Sequence, residues 1–138
     1  MKIILFFILA FMNIPAFTQD SWIIKLDKKQ LLKTSEENTE KNQITLNRSQ
    51  LKKKNLTVSY FEKEKLEGWR RTISVYDNKD NLLLQKQTGN LKLSEEVLKK
   101  WFNKFPVVMI YTWSLPIDPK MKATVRIRRV HLCTIHFK

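Results

Sequence analysis

The segment His131-Leu132-Cys133-Thr134-Ile135-His136 holds both histidines and the only cysteine of the chain, the side chains best suited to metal or nucleophile chemistry. A zinc site needs imidazole and thiolate groups that converge on one point. A thiolate nucleophile needs a base beside it and an accessible electropositive setting. On a regular strand alternate residues share a face, so this spacing sends His131 and Cys133 one way and His136 the other. They do not converge, and the sequence offers no second ligand cluster. The expected state is a packed final strand with no metal and no cofactor, and a Cys133–His131 pair is the enzymatic alternative.

Two other patterns suggest chemistry and fall short of it. Asp77-Asn78-Lys79-Asp80-Asn81 has the acidity of a calcium loop but lacks its central glycine and its distal bidentate glutamate, so a hairpin turn is expected. Glu62, Glu64 and Glu67 alternate with Lys63 and Lys65. That is a solvated charge cluster rather than the carboxylate pair that glycoside hydrolysis requires. With Gly68 and Gly89 as the only glycines, a glycine-rich phosphate loop cannot be built.

Charge is the stronger signal. Across 138 residues, 26 Lys+Arg face 13 Asp+Glu, a formal net charge of +13. After Asp118 there is no acid, while Lys120, Lys122, Arg126, Arg128, Arg129 and Lys138 are all cationic. Arg126 and Arg128 stand at i and i+2, which would place them on one face of a strand, with Arg129 beside them and Arg70 able to join from a neighbouring strand. Such a row suits carboxylate, phosphate or sulfate groups. The plain alternative is a solvated sheet face that keeps the protein soluble.

The first residues supply the address. Lys2 precedes an unbroken apolar run over residues 3–12. Ten residues are too few to span a bilayer as a helix, and Pro15 and Ala16-Phe17-Thr18 form a break and a small-residue cleavage pattern. Residues 1–18 are therefore expected to be a signal peptide, and residues 19–138 a single domain. Lys2 is the only charge lost, so the remaining domain would carry +12. No cysteine follows the apolar run, so lipid anchoring there is not expected. The apolar run and Ala16-Phe17-Thr18-Gln19 resemble exported proteins of Gram-negative bacteria, a likeness confined to the leader.

These residues must be positioned mostly by strands. Trp22, Ile24 and Leu26 alternate, a polar turn follows, and Leu31-Leu32 completes a hairpin. Further strands are read at residues 43–46, 56–60, 69–76 and 82–86, with a loop over residues 34–42. One helix is expected over residues 95–104, where Ser94 is a good cap and Val97, Leu98, Trp101, Phe102 and Phe105 make an apolar stripe. Residues 107–113 should form a central strand, and residues 123–137 a last strand or strand pair with a bulge or break near Arg128, where the apolar parity changes. No repeated strand–helix alternation exists. The expected fold is an antiparallel β-sandwich of seven or eight strands, with a partly open β-barrel as the alternative.

From these features the expected function is an exported, non-catalytic binding or accessory protein of the cell envelope. Its basic strand face, with Arg70, Arg126, Arg128 and Arg129, would engage an anionic envelope component such as a protein, a glycan or lipopolysaccharide. Nucleic acid is the usual partner of so basic a chain, but export argues against it. After signal cleavage no transmembrane span would remain.

Overall fold

The computed structural model describes residues 19–138, and the expected signal peptide lies outside them. Two β-sheets pack face to face. The first has strand order β2-β1-β4-β7, formed by β1 (Ser21–Leu26), β2 (Lys29–Thr34), β4 (Leu56–Phe61) and β7 (Asn90–Leu93). The second has order β3-β9-β8-β5-β6, formed by β3 (Gln43–Leu46), β5 (Trp69–Asp77), β6 (Leu82–Lys86), β8 (Val107–Pro116) and β9 (Val130–Phe137). The sheets stay separate, so the sandwich and not the barrel is formed. β8 is the central strand of its sheet, as expected from its apolar run. Among the described residues nine strands are present, against the seven or eight expected. The unforeseen one is β7, a four-residue strand immediately before the helix.

Alternation decides which side chains enter the core. Trp22, Ile24 and Leu26 are buried while Ile23 and Lys25 turn outward, as the period of two requires. Across the interface stand Ile73 and Val75 of β5, Val108 and Ile110 of β8, and Ile135 and Phe137 of β9. All pairings are antiparallel except β3 with β9, which run parallel.

Helix α1 (Glu95–Lys104) begins where the sequence places it. Ser94 Oγ accepts from the Val97 N–H at 3.4 Å, and Glu95 and Glu96 occupy the first turn, where negative charge complements the helix dipole. Leu98 and Trp101 are buried, and Val97, Phe102 and Phe105 pack against the core. The turn at residues 77–81 is a hairpin corner held by one carboxylate: Asp77 Oδ1 accepts from the N–H groups of Lys79 and Asn81 at 2.8 and 2.9 Å. These bonds, that to Asn81 foremost, hold its pKa below the ordinary carboxylate value.

Two features of the C-terminal region correct the sequence reading. The last strand begins only at Val130: residues 117–129 form a connection that contains the short helix α2 (Pro119–Lys122), and residues 123–129 belong to no strand. Arg126 and Arg128 therefore do not share a strand face. With no strand before Val130, the parity change near Arg128 falls where the strand begins, and a separate bulge lies farther on, inside β9. Ile110 pairs with Cys133 and Tyr111 with His131, leaving Leu132 as the extra residue. The bulge rotates His131 away from Cys133.

Candidate functional site

The bulge decides the fate of the histidine–cysteine segment. Cys133 lies opposite Ile110 and faces the core, whereas His131, Thr134 and His136 lie opposite Tyr111, Met109 and Val107 on the outer face of the second sheet. The expected sharing of a face by His131 and Cys133 is thus reversed, and His136 joins His131 instead. Cys133 is fully buried, and desolvation pushes its thiol pKa well above the ordinary range. His131 Nε2 lies 2.8 Å from Thr134 Oγ1, and His136 Nε2 lies 2.7 Å from Gln43 Oε1. Each histidine is occupied by a neutral neighbour. Among the described residues no group of three or more His, Cys, Asp or Glu side chains is placed to hold a metal ion.

The four arginines read from the sequence are not brought together as one row. Arg128 and Arg129 are drawn to different partners: Arg128 Nη2 reaches Glu37 Oε1 at 2.6 Å, and Arg129 Nη1 reaches Asp80 Oδ1 at 2.9 Å. Glu37 belongs to the loop before β3, and Asp80 to the β5–β6 corner. The Arg129 guanidinium also lies over the rings of Tyr76 and Tyr111, 4.7 and 4.5 Å from their centroids, a cation–π arrangement that fastens the connection onto the sheet. The second Glu37 oxygen accepts from the His131 N–H at 2.9 Å, so the same carboxylate ties down the start of β9. Arg126 is exposed. Arg70 is exposed at the start of β5, and among the described residues its side chain donates only to its own neighbour's carbonyl, Trp69 O, at 3.3 Å.

A fifth arginine, Arg71, is the best-held cation among the described residues, and nothing in its local sequence marks it. It stands on the core-facing side of β5, at the end of the sandwich, with 13% of its side chain exposed. Nε bonds Glu62 Oε1 at 2.7 Å, Nη1 bonds Thr112 Oγ1 at 3.1 Å, and the guanidinium carbon lies 3.9 Å from the centre of the Tyr60 ring. Trp22 is stacked with Tyr60 as well, at 5.9 Å with an interplanar angle of 8°. Tyr60 donates its hydroxyl to Asp20 Oδ2 at 2.8 Å. Burial first, then that hydrogen bond, raises the phenol pKa. Glu62 is thereby consumed as a structural counter-ion, whereas Glu64 and Glu67 remain exposed in the following loop. Beside this stack opens a cleft of about 530 Å³, whose walls include Trp69, Arg70, Arg71, Gln87 and Thr88.

A second basic surface follows from the strand order and could not be read from any one segment. The outward positions of the first sheet are Gln30 and Lys33 on β2, Ser21, Ile23 and Lys25 on β1, Thr57, Ser59 and Phe61 on β4, and Asn90 and Lys92 on β7. None is acidic. Lys25 and Lys92 flank Thr57 in one cross-strand row, about 10 Å apart at the backbone by the spacing of strands. Lys33 lies beside Ile23 in the next row. Among the described residues none of these three lysines makes an ion pair. The sequence signal was alternation itself: Lys25, Lys33 and Lys92 all stand in polar phase with apolar core positions. Their meeting depends on strand pairings between distant segments.

Such a face can hold an extended array of negative charges, each lysine acting as a mobile point charge with three donors, while the neighbouring hydroxyl and amide side chains offer neutral hydrogen bonds. No protein-family model, curated protein or solved structure matches the chain.

Proposed function

We propose that this is an exported, non-catalytic binding protein of the cell envelope, and that the outer face of its first sheet holds a polyanionic partner. The observation that carries the reading is the composition of that face: Lys25, Lys33 and Lys92 are exposed and, among the described residues, have no ion pair and are accompanied by no outward-facing carboxylate. A surface whose charge served solubility alone would be expected to mix both signs. The arginines of the C-terminal connection fit this role less well. Arg128 and Arg129 are already engaged by Glu37 and Asp80, and a ligand would have to displace those carboxylates; Arg70 and Arg126 remain open to solvent and can extend the basic surface.

The alternative, a small enzyme using His131 and Cys133, finds little support in the arrangement of those two groups on opposite faces of β9. Export rests on the leader pattern of residues 1–18. The test is retention of the purified protein on a column bearing a long acidic polymer. Replacing Lys25, Lys33 and Lys92 together by Gln should lower the salt concentration of elution and flatten the dependence of affinity on salt. Unchanged elution would overturn the proposal.

A further inference from the structure

The lysine face does not end at the sheet. Phe61, at the end of β4 and 50% exposed, stands between two hollows: one of about 430 Å³ lined by Ser21, Ile23 and Lys33 of the first sheet, and the cleft of about 530 Å³ beside Arg71. Glu62 lines both as well. A path therefore runs from Lys33 across an exposed aromatic ring into a cleft walled by Trp69, Arg70, Gln87 and Thr88.

The chemistry of that cleft is specific. Trp69, half-buried, offers apolar aromatic surface. Gln87 and Thr88 offer an amide and a hydroxyl, groups that both donate and accept. Arg70 and Lys65, both lining the cleft, make no ion pair with any described residue. The one carboxylate in the wall, Glu62, is bound at 2.7 Å by Arg71, so its charge is offset within the wall. The cleft is therefore cationic, aromatic and hydroxyl-compatible together.

We infer that this cleft is a subsite for a carboxylate-bearing sugar residue, and that the polyanion on the lysine face is an acidic glycan whose chain runs past Phe61 into it. Aromatic rings suit the C–H faces of a sugar, Gln87 and Thr88 its hydroxyls, and the planar fork of Arg70 its carboxylate. An acidic peptide would use the charge but leave the aromatic wall without its proper partner. The inference rests on the reading of the partner as a polyanion, and it adds the partner's class and a second point of contact.

The experiment is calorimetric titration of the full chain, purified from an exporting host, with a linear tetramer of galacturonic acid. A neutral glucose tetramer and a tetra-aspartate peptide serve as comparisons, and a long polygalacturonate as the polymer. The acidic tetramer should bind at least tenfold more tightly than either comparison. Arg70→Gln should weaken it about tenfold, and Gln87→Ala, at an exposed position, should weaken it severalfold with unchanged thermal unfolding. The triple lysine variant should leave the tetramer within about twofold and weaken only the long polymer. Absence of tetramer binding, equal binding of the peptide, or indifference to both Arg70→Gln and Gln87→Ala would overturn the subsite. If the long polymer still responds to the lysine variant, the proposed function survives that failure. Conversely, tetramer binding that depends on Arg70, together with a polymer indifferent to the lysines, would remove the lysine face and keep the cleft.

Discussion

Arg129 is clamped against Tyr111: its guanidinium carbon lies 4.5 Å from the ring centroid, while its Nη1 reaches the Asp80 carboxylate at 2.9 Å. The hydrogen bond to Asp80 raises the arginine's already high pKa. The side chain is thus part of how the 117–129 connection is fastened, and Arg129→Gln should destabilise the protein by on the order of 1 kcal/mol, the scale of a partly exposed cation–π contact. Arg126→Gln, at an exposed position with no carboxylate partner among the described residues, should change stability by less than about 0.5 kcal/mol. Urea unfolding of the two variants checks the contrast.

Trp113 is buried with 9% exposure, yet by register it stands opposite Thr72 on the outer side of the second sheet and not between the sheets. Truncation should still be costly, because a nearly buried indole loses its packing contacts when cut back to a methyl group. Trp113→Ala should cost on the order of 3 kcal/mol. A loss below about 1 kcal/mol in the same unfolding assay would mean that the indole contributes little packing.

Much of this architecture was legible because burial and period coincide. Trp22, Ile24 and Leu26 alternate with polar or half-buried neighbours, and Ser94 followed by Glu95 and Glu96 announces a helix start. The bulge at Leu132 was not legible, since no glycine or turn residue marks it. It is held by distant groups: the Leu132 carbonyl accepts from Trp22 Nε1 at 3.0 Å, and the His131 N–H is taken by Glu37. The same limit hid the lysine face. Lys25, Lys33 and Lys92 each look like an ordinary solvated position, and only the order β2-β1-β4-β7 makes them neighbours. Clustering along the chain had instead pointed to Arg126, Arg128 and Arg129, two of which the fold uses as fasteners.

Cys133 supplies a direct probe of core integrity. With no exposed surface and a thiol pushed toward the protonated form by burial, it should resist alkylating reagents at neutral pH in the folded protein. Labelling should follow opening of the structure, rising with denaturant in parallel with unfolding. Cys133→Ser, which puts a hydroxyl into an apolar setting, should cost about 1–3 kcal/mol. Rapid labelling under native conditions would show that β9 opens locally.

His131 should give the protein a stability that falls in mildly acidic solution. Burial lowers its pKa below the ordinary value near 6.5, and the nearby Glu37 carboxylate offsets only part of that effect. Its Nδ1 is buried without a hydrogen-bond partner, and the ring packs edge-on against Tyr111 at 5.6 Å. Arg128, already paired to Glu37, competes for the one anion that could stabilise an imidazolium here. Between the unfolded value and the depressed folded value the unfolded chain binds more protons, so stability rises with pH across that window. The contribution is present in full above about pH 6.5 and is lost as the pH falls toward the folded value. Thermal midpoints measured between about pH 7.5 and 5.5 should therefore decline, and His131→Gln should flatten that decline while lowering the midpoint at neutral pH through lost packing. A decline of equal slope in the variant would assign the effect to other groups.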